Sequence, residues 1–496
     1  MKIRTIITQD AEVDDQNSLR HFLLYANEVE LQGIVQTSSK FHWIGKEGAV
    51  KPQHETKDDF SNISEQSGPF DQPYRWPGTD WMWRQIDDYE KDYPNLIKHA
   101  DGYPTPDELR AITKVGNIGY EGEREAPSEG SDLIKNRILD EDPRPLYLQV
   151  WGGTNTIARA LMDIEIEYSC TPDWKELHDK ITKKVIITAC GEQDQAYREY
   201  VAEVWPGIPF IKTLQMNSYA YPWYSMPEGD SKDTLRAKFM KNEILSRNSA
   251  LIKGYCTWMD GKHYEGEKSR SQFGSNPNIL NEWYCKDRGF EDPAPYDFLS
   301  EGDSPTFFAF FNWGFRTLED FRYGGIIGRY EPVQGEYNSK GEALNLWNVC
   351  LENYTGRDEK QYCVESMWQY VADIQRSFSA RAAWAENGNY AECEHEPSLE
   401  ITEGVDMTAR AGDHVMLHAK AFSPDGADVT VSFRTYPEAS SDCAKDVIIN
   451  QNNSDADIEI PANANLGDKI HIIVKAETQS HYKLVHYQQV IITVNY

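Results

Sequence analysis

Two hydrophobic rhythms divide this chain. Through residues 1–215, compact apolar runs lie at 3–8, 30–37, 146–151, 185–189 and 210–211. Between them, at 15–27, 79–93, 106–114, 131–139, 155–162 and 193–204, apolar residues recur every three or four positions. The runs read as buried strands and the stretches between as amphipathic helices. In 15–27, for example, Leu19, Phe22, Leu23 and Ala26 fall on one face. Strands separated by helices imply βαβ units, hence an α/β fold with a mostly parallel sheet flanked by helices. Residues 216–330 are rich in Gly, Pro, Trp and Tyr, and read as long loops and short helices over that sheet. A helix is predicted over 366–385, where Met367, Tyr370, Val371, Ile374, Phe378 and Ala382 share a face. After a linker at 387–397 the rhythm shortens to two, with alternating runs at 415–419, 429–434, 447–449, 470–474 and 490–494. That pattern predicts an antiparallel β-sandwich of roughly 100 residues. The expected organisation is an α/β domain over 1–330, a helical extension and linker over 331–397, and a sandwich over 398–496.

Chemistry concentrates where the first strand meets the first helix. Residues 8–15 read Thr-Gln-Asp-Ala-Glu-Val-Asp-Asp, so Asp10, Asp14 and Asp15 share one strand-to-helix turn. Three carboxylates packed there repel one another unless something positive neutralises them. A hard cation with oxygen ligands, Ca²⁺ or Mg²⁺, would do so. The plainer alternative is that Asp10 ends the strand while Asp14 and Asp15 cap the helix, where carboxylates suit the free N–H groups. In open α/β sheets ligands bind beyond the carboxyl ends of the strands. The Asp10 turn, the Gly152-Gly153 turn and the Cys190-Gly191-Glu192 turn all occupy that position. Carboxylates at Glu192, Asp194 and Glu301 suit sugar hydroxyls or a glycosidic oxygen. His42, just after the second strand, is a candidate acid or a surface histidine. Asn155 opens a helix and is equally a simple cap.

Composition narrows the partners. Eighty acidic against 50 basic side chains give a formal charge of −30, which repels nucleic acid and anionic lipid. No run of 18 apolar residues is present, so no membrane span is expected. The 14 Trp and 28 Tyr include Trp43, Trp81, Trp83, Trp223 and Trp313, which could stack on sugar rings or simply fill the core. Eight Cys show no C-x-x-C pair and no zinc spacing, and they permit disulfides without requiring them. G-x-S-x-G, Walker A and H-E-x-x-H motifs are absent.

The turn Asp10-x-x-x-Asp14-Asp15 resembles the D-x-D-P-G-x-D-D calcium loop of nucleoside hydrolases, with Ala11, Glu12 and Val13 where that loop has its Pro and Gly. A closer resemblance is to the nucleoside hydrolase-like family with a C-terminal cellulose-binding-type β-domain, found in polysaccharide-degrading bacteria. It is carried in order by Leu-Leu-Tyr-Ala-Asn-Glu at 23–28, Asn-Leu-Ile-Lys-His-Ala-Asp-Gly-Tyr at 95–103, and Asp-Pro-Arg-Pro-Leu at 142–146. Val-Trp-Gly-Gly at 150–153 and Glu-Gly-Asp-Ser-Pro at 301–305 continue it. The resemblance implies Ca²⁺ ligation by Asp10, Asp15, Asp303 and the Trp151 carbonyl, with Asp14 directed at substrate. Glu129, in the matching segment 128–131, is implied to face the site or to cap a helix. Two departures matter. Gly302 stands where nucleoside hydrolases place a His that assists purine departure, and 191–195 (Gly-Glu-Gln-Asp-Gln) replaces their Asn-rich nucleoside segment.

These readings predict a glycoside hydrolase that uses a calcium-held water on a plant or algal saccharide. Asp10, Asp14, Glu192 and Asp194 are the catalytic candidates, and Asp14, His42, Glu129, Asn155, Gln193, Glu301 and Trp313 the substrate-binding ones. Two alternatives stay open: a non-catalytic polysaccharide-binding protein, and a nucleoside N-ribohydrolase. The expected partner is an oligo- or polysaccharide; an oligomer is compatible with the sequence. The family implies a secreted or periplasmic protein. Met1 leads straight into a strand with no signal segment, so a cytoplasmic location stays open as well.

Overall fold

The computed structural model describes residues 2–51, 59, 68–264, 266 and 293–496. Eight strands build its main sheet: β1 (Ile3–Gln9), β2 (Val29–Gln36), β3 (Thr113–Val115), β4 (Leu146–Val150), β5 (Val185–Ala189), β6 (Phe210–Lys212), β7 (Tyr330–Pro332) and β8 (Leu346–Val349). Their order is β3-β2-β1-β4-β5-β6-β8-β7, parallel throughout except for β7 against β8. Helices cover both faces, which is why the inner strands read as unbroken apolar runs. On one side Ile7 packs with Phe22, Trp81, Tyr89 and Phe378. On the other, Ile6 packs with Ile134, Leu148 and Ile157. The helices are α1 (Val13–Leu23), α2 (Trp81–Leu96), α3 (Pro106–Ala111), α4 (Glu129–Leu139), α5 (Asn155–Tyr168), α6 (Trp174–Lys184) and, much later, α7 (Val371–Glu386). The chain winds outward from β1 towards β3 and from β4 towards β8. The crevice between the carboxyl ends of β1 and β4 is therefore a topological switch point.

Three local differences from the sequence reading have physical causes. The helix expected at 193–204 is a π-helical stretch, Tyr197–Val201, and one further turn, Ala202–Val204. α6, which the sequence reading did not place, buries Ile181 and Lys184 and packs Trp174 and Leu177 against the core. The segment 331–397, expected as a helical extension and linker, also supplies β8 to the main sheet and a hairpin of β9 (Leu351–Thr355) and β10 (Gln361–Glu365). These strands have four or five residues and expose alternate positions, so no apolar run announces them. Short helices at Met216–Tyr219, Asp230–Leu235 and Ala250–Lys253 populate 216–330 as anticipated, although part of that segment lies outside the described residues. The seven described cysteines are unpaired. Among the described residues no helix is long and apolar enough to cross a membrane.

The C-terminal strands are β11 (Ser398–Ile401), β12 (Asp406–Ala409), β13 (His414–Phe422), β14 (Val429–Thr435), β15 (Ile448–Asn452), β16 (Asp455–Glu459), β17 (Lys469–Thr478) and β18 (Val485–Val494). They form two four-stranded sheets, β11-β13-β16-β15 and β12-β18-β17-β14, antiparallel apart from the β12–β18 pair. β13 alternates buried and exposed residues over most of its length, as a one-sided strand should. β17 and β18 are buried on both faces, because their outer face lies against the α/β domain. Ile473, Val485 and Tyr487 belong to that domain's core. At the contact, Gly314 has φ of +88°, and a Cβ there would lie 1.7 Å from the Tyr487 carbonyl oxygen.

Gln489 locks the same contact. Its Oε1 accepts the Arg316 N–H (3.0 Å), and its Nε2 donates to the Tyr323 carbonyl (2.8 Å) and to His471 Nδ1 (3.0 Å). His471 must therefore be neutral, with Nδ1 as acceptor. Burial pulls its pKa from 6.5 to about 4. A depressed pKa contributes stability above the unfolded value that is lost as the pH falls towards the folded one. Stability should thus drop by about 3 kcal/mol between roughly pH 6.5 and pH 4. Denaturant unfolding across that range should show the drop, and His471→Asn should lack this part of it. Equal pH slopes for both proteins would contradict the assignment.

Candidate functional site

β1 is buried along nearly its whole length and delivers Asp10 to the switch point fully buried. The next residue, Ala11, turns the chain with φ of +73°, a left-handed conformation that costs a non-glycine residue roughly 1–2 kcal/mol. That turn starts α1 at Val13 and places Asp14 and Asp15 in its first turn. The Asp10 N–H donates to Asp15 Oδ1 (3.0 Å), which closes the loop on itself. Gly152, at the end of β4, lets the two strands approach, since a Cβ there would lie 2.7 Å from Asp10 Cβ. Asp303 arrives from a distant loop. It precedes the 3₁₀ turn Ser304–Thr306 without capping it, and its side chain joins the cluster instead.

Ligand oxygens of Asp14, Asp15 and Asp303 all lie within 4.8 Å of one another. The three residues are 8%, 1% and 2% exposed, so solvent does little to screen them. Burial, then repulsion from Asp10, Asp303 and Asp14, holds the Asp15 carboxyl well above its ordinary range. Burial and the neighbouring Asp14 and Asp10 do the same to Asp303. Asp303 Oδ2 is buried without a hydrogen-bond partner. Asp10 differs. Burial would raise its pKa, but His42, whose Nδ1 lies 3.4 Å from Asp10 Oδ2, outweighs this and holds it low with help from Ser39 and Asp15. The expected ligand trio was Asp10, Asp15 and Asp303, with Asp14 aimed at substrate. In the structure Asp14 joins the trio and the Asp10 carboxylate leans on His42.

This donor set fits a hard divalent cation. Every candidate ligand is a carboxylate oxygen, one of them an orphaned buried acceptor, and neither Asp15 nor Asp303 has a Lys or Arg partner among the described residues. Around the trio stand Ser300, which the sequence did not single out, and Cys190 of the turn after β5. Ser300 Oγ donates to Asp14 Oδ2 (3.2 Å), and the buried Cys190 thiol bonds to Asp303. Ser300 precedes the Glu301-Gly302-Asp303 segment, and that adjacency was its only signal. Gly302 points straight at the cluster: a Cβ on it would sit 3.3 Å from Asp14 Oδ2.

The other sequence candidates are placed elsewhere or are engaged in structure. Glu192 is buried between Arg198 (2.6 Å) and Lys212 (2.5 Å). Asp194 accepts N–H groups from Asn155 (3.1 Å) and Ala196 (2.9 Å), bracing the glycine turn, and burial raises it to about 6. Asn155 spends its amide on Ser38, Asn117 and Glu123, and its carbonyl oxygen on Thr37. Gln193 Nε2 donates to the Trp151 carbonyl. Glu301 lies fully buried and accepts from His21 Nδ1 (2.8 Å), Ser304 Oγ (2.6 Å) and the Tyr255 hydroxyl. Glu129 is exposed on the first turn of α4. Trp43, Trp81 and Trp223 are core residues, Trp83 packs at the core's edge, and Trp313 lines a cavity beside the sandwich.

A parallel sheet with an acidic, oxygen-only cluster at its switch point is the architecture of a nucleoside hydrolase-like protein. Residues 4–330 match the family described as "Cellulose-binding Sde182, nucleoside hydrolase-like domain", and the chain belongs to that family. Residues 414–494 match a second family, "Cellulose-binding protein Sde0182, C-terminal domain". Among solved structures, a nucleoside hydrolase-related protein from Saccharophagus degradans, described as associated with carbohydrate metabolism, is 25% identical. The alignment covers 100% of both chains with a TM-score of 0.71. A plant nucleoside hydrolase, PpNRh1, is 11% identical over 76% of this chain and 99% of its own, with a TM-score of only 0.34. No curated protein matches the chain.

Proposed function

We propose that this protein is a divalent-cation-dependent hydrolase of glycosidic bonds, acting on oligosaccharides from plant or algal polysaccharide. One observation supports the reading: three buried carboxylates converge within 4.8 Å at the switch point, and neither Asp15 nor Asp303 has a Lys or Arg partner among the described residues. Asp14, Asp15 and Asp303 would hold Ca²⁺ or Mg²⁺, with Asp10 alongside. The bound cation would supply a fixed positive charge for vicinal sugar hydroxyls and Lewis acidity at the reacting centre. Asp10 is the base. His42 keeps its carboxylate ionised, ready to take a proton from water attacking the anomeric carbon. The surrounding negative charge favours the oxocarbenium character that develops there. Direct attack by water implies inversion. Gly302 stands where a His would assist a departing purine, which weighs against nucleosides. In the glycoside reaction the anomeric carbon–oxygen bond breaks as water attacks, with one water proton passing to Asp10 and the departing sugar oxygen taking its proton from solvent. Substrates of this kind would be met in the periplasm or outside the cell.

The alternative is a binding protein without turnover, favoured by the words "cellulose-binding" in both family descriptions. Reducing-sugar release from a panel of plant and algal oligosaccharides, run beside inosine, adenosine and uridine, separates the two. Release should depend on Ca²⁺, stop with chelator and vanish in Asp15→Asn. Efficient turnover of a ribonucleoside would reject the glycosidase reading. Saturable polysaccharide binding without any release would leave the alternative standing.

A further inference from the structure

One face of α1 carries Asp14, Asn17, Ser18 and His21, spaced i, i+3, i+4 and i+7, all of them buried. A buried helix face normally carries apolar side chains, because an unsatisfied polar group there is costly. Here each polar group is met by the segment 300–304. Ser300 Oγ donates to Asp14 Oδ2 (3.2 Å), Asn17 Nδ2 donates to the Ser300 carbonyl (3.2 Å), and His21 Nδ1 donates to Glu301 Oε2 (2.8 Å). The Ser18 and Ser304 hydroxyls lie 3.1 Å apart. We propose that Asn17 and Ser300 are positioning residues for the cation site: they set the register of 300–304 against α1 and so fix Asp303 beside Asp14 and Asp15. The inference rests on the cation reading above and adds to it two residues that are not themselves ligands.

Glu301 and Ser304 are held on either side of Asp303, whose carboxylate is left to face the trio with one oxygen buried and lacking a hydrogen-bond partner. Sliding the segment by one residue would break all four contacts with α1 at once. Ser300 is gripped at both ends, its hydroxyl by Asp14 and its carbonyl by Asn17 one helical turn further on. The Asn17 amide is fully engaged. Its Nδ2 also donates to the Cys256 carbonyl (3.0 Å), and its Oδ1 accepts the Cys256 N–H (2.8 Å). Asn17 therefore ties α1, the chain at Cys256 and the segment 300–304 together at one point, next to the first turn that carries two of the carboxylates.

The carboxylates themselves drive these segments apart. Asp14 and Asp10 repel Asp303, while Asp10, Asp303 and Asp14 repel Asp15. Without a cation, that repulsion acts between α1, which carries Asp14 and Asp15, and the loop that carries Asp303. The hydrogen bonds between the same two segments oppose it and keep the ligands assembled. A preorganised site binds more tightly than one that must be assembled during binding. Loosening this polar seam should therefore lower cation affinity with every ligand still in place.

Calorimetric titration of the full chain with Ca²⁺, at a temperature where every variant is folded, tests this. Destabilisation alone leaves the affinity of the folded protein unchanged, so a change in affinity reports the geometry of the site. Ser300→Ala removes one oxygen atom and should weaken binding by about 10–100-fold. Ser300→Thr keeps the hydroxyl and should recover most of that loss. Asn17→Ala should weaken binding to a similar degree. The double variant should bind about as weakly as the weaker single one, because both residues act through one segment. Wild-type affinity in Ser300→Ala would overturn the inference and leave the cation reading intact. So would a Ser300→Thr protein as weak as Ser300→Ala, or losses that multiply in full in the double variant. A wild-type protein that binds no Ca²⁺ would overturn the cation reading, and this inference with it.

Discussion

Asp303→Asn should weaken Ca²⁺ binding by about 10–100-fold or more, while making the cation-free protein more stable. Losing a group that merely orients a ligand already costs about 10–100-fold in metal affinity. A ligand that brings negative charge should cost no less. The gain in stability has the opposite origin. Asp303 sits 2% exposed against Asp14 and Asp10, with burial and their charge opposing its ionisation. A neutral amide of the same shape removes that repulsion, worth about 1–3 kcal/mol. The raised carboxyls give the sign of the pH dependence. Their favourable contribution is complete below the ordinary carboxylate value of 3.8 and is lost as pH rises through their raised folded values. Asp303→Asn should therefore gain most near neutral pH. Calorimetry for affinity and melting in chelator for stability read out both effects. A wild-type protein that binds no divalent cation at millimolar concentration would remove the metal from the mechanism.

The second large effect concerns Glu301. Glu301→Ala should cost about 3–5 kcal/mol, a large part of a typical folding free energy of roughly 5–15 kcal/mol. Its carboxylate is wholly buried, and its removal leaves His21, Tyr255 and Ser304 without their acceptor. His21 cannot turn away, because its ring is stacked 4.0 Å from Phe378 of α7. Glu301→Gln keeps one acceptor oxygen and should cost roughly 1–2 kcal/mol. Urea midpoints at unchanged slope would show this. Because Glu301 anchors the loop that carries Asp303, folded Glu301→Gln should also bind Ca²⁺ more weakly. A midpoint for Glu301→Ala within error of wild type would show that the buried network carries little stability.

Much of this protein is determined locally. β1, β4 and β5 were legible because strands buried on both faces must be apolar throughout, and α2 and α5 because each keeps a long apolar stripe. The acidic turn was legible because Asp10, Asp14 and Asp15 crowd one strand end, and repulsion between neighbouring carboxylates follows from chain connectivity alone. The sandwich announced itself through the alternation of β13 and β14. Tertiary structure decided what connectivity could not. It brought Asp303 across almost 300 residues to Asp15, and it put Asp14 in the trio while Asp10 turned to His42. It assigned Glu192 to Arg198 and Lys212, and Asp194 to the glycine turn, since a carboxylate takes its role from whichever donors the fold places against it. It pressed β17 and β18 onto the α/β domain, creating a cavity that neither domain has alone. Hydrophobic periodicity depends on neighbours one helical turn or two strand residues away, and so it survives in the sequence. Which carboxylate meets a cation, a base or an arginine depends on packing between distant segments, and only the folded chain fixes that.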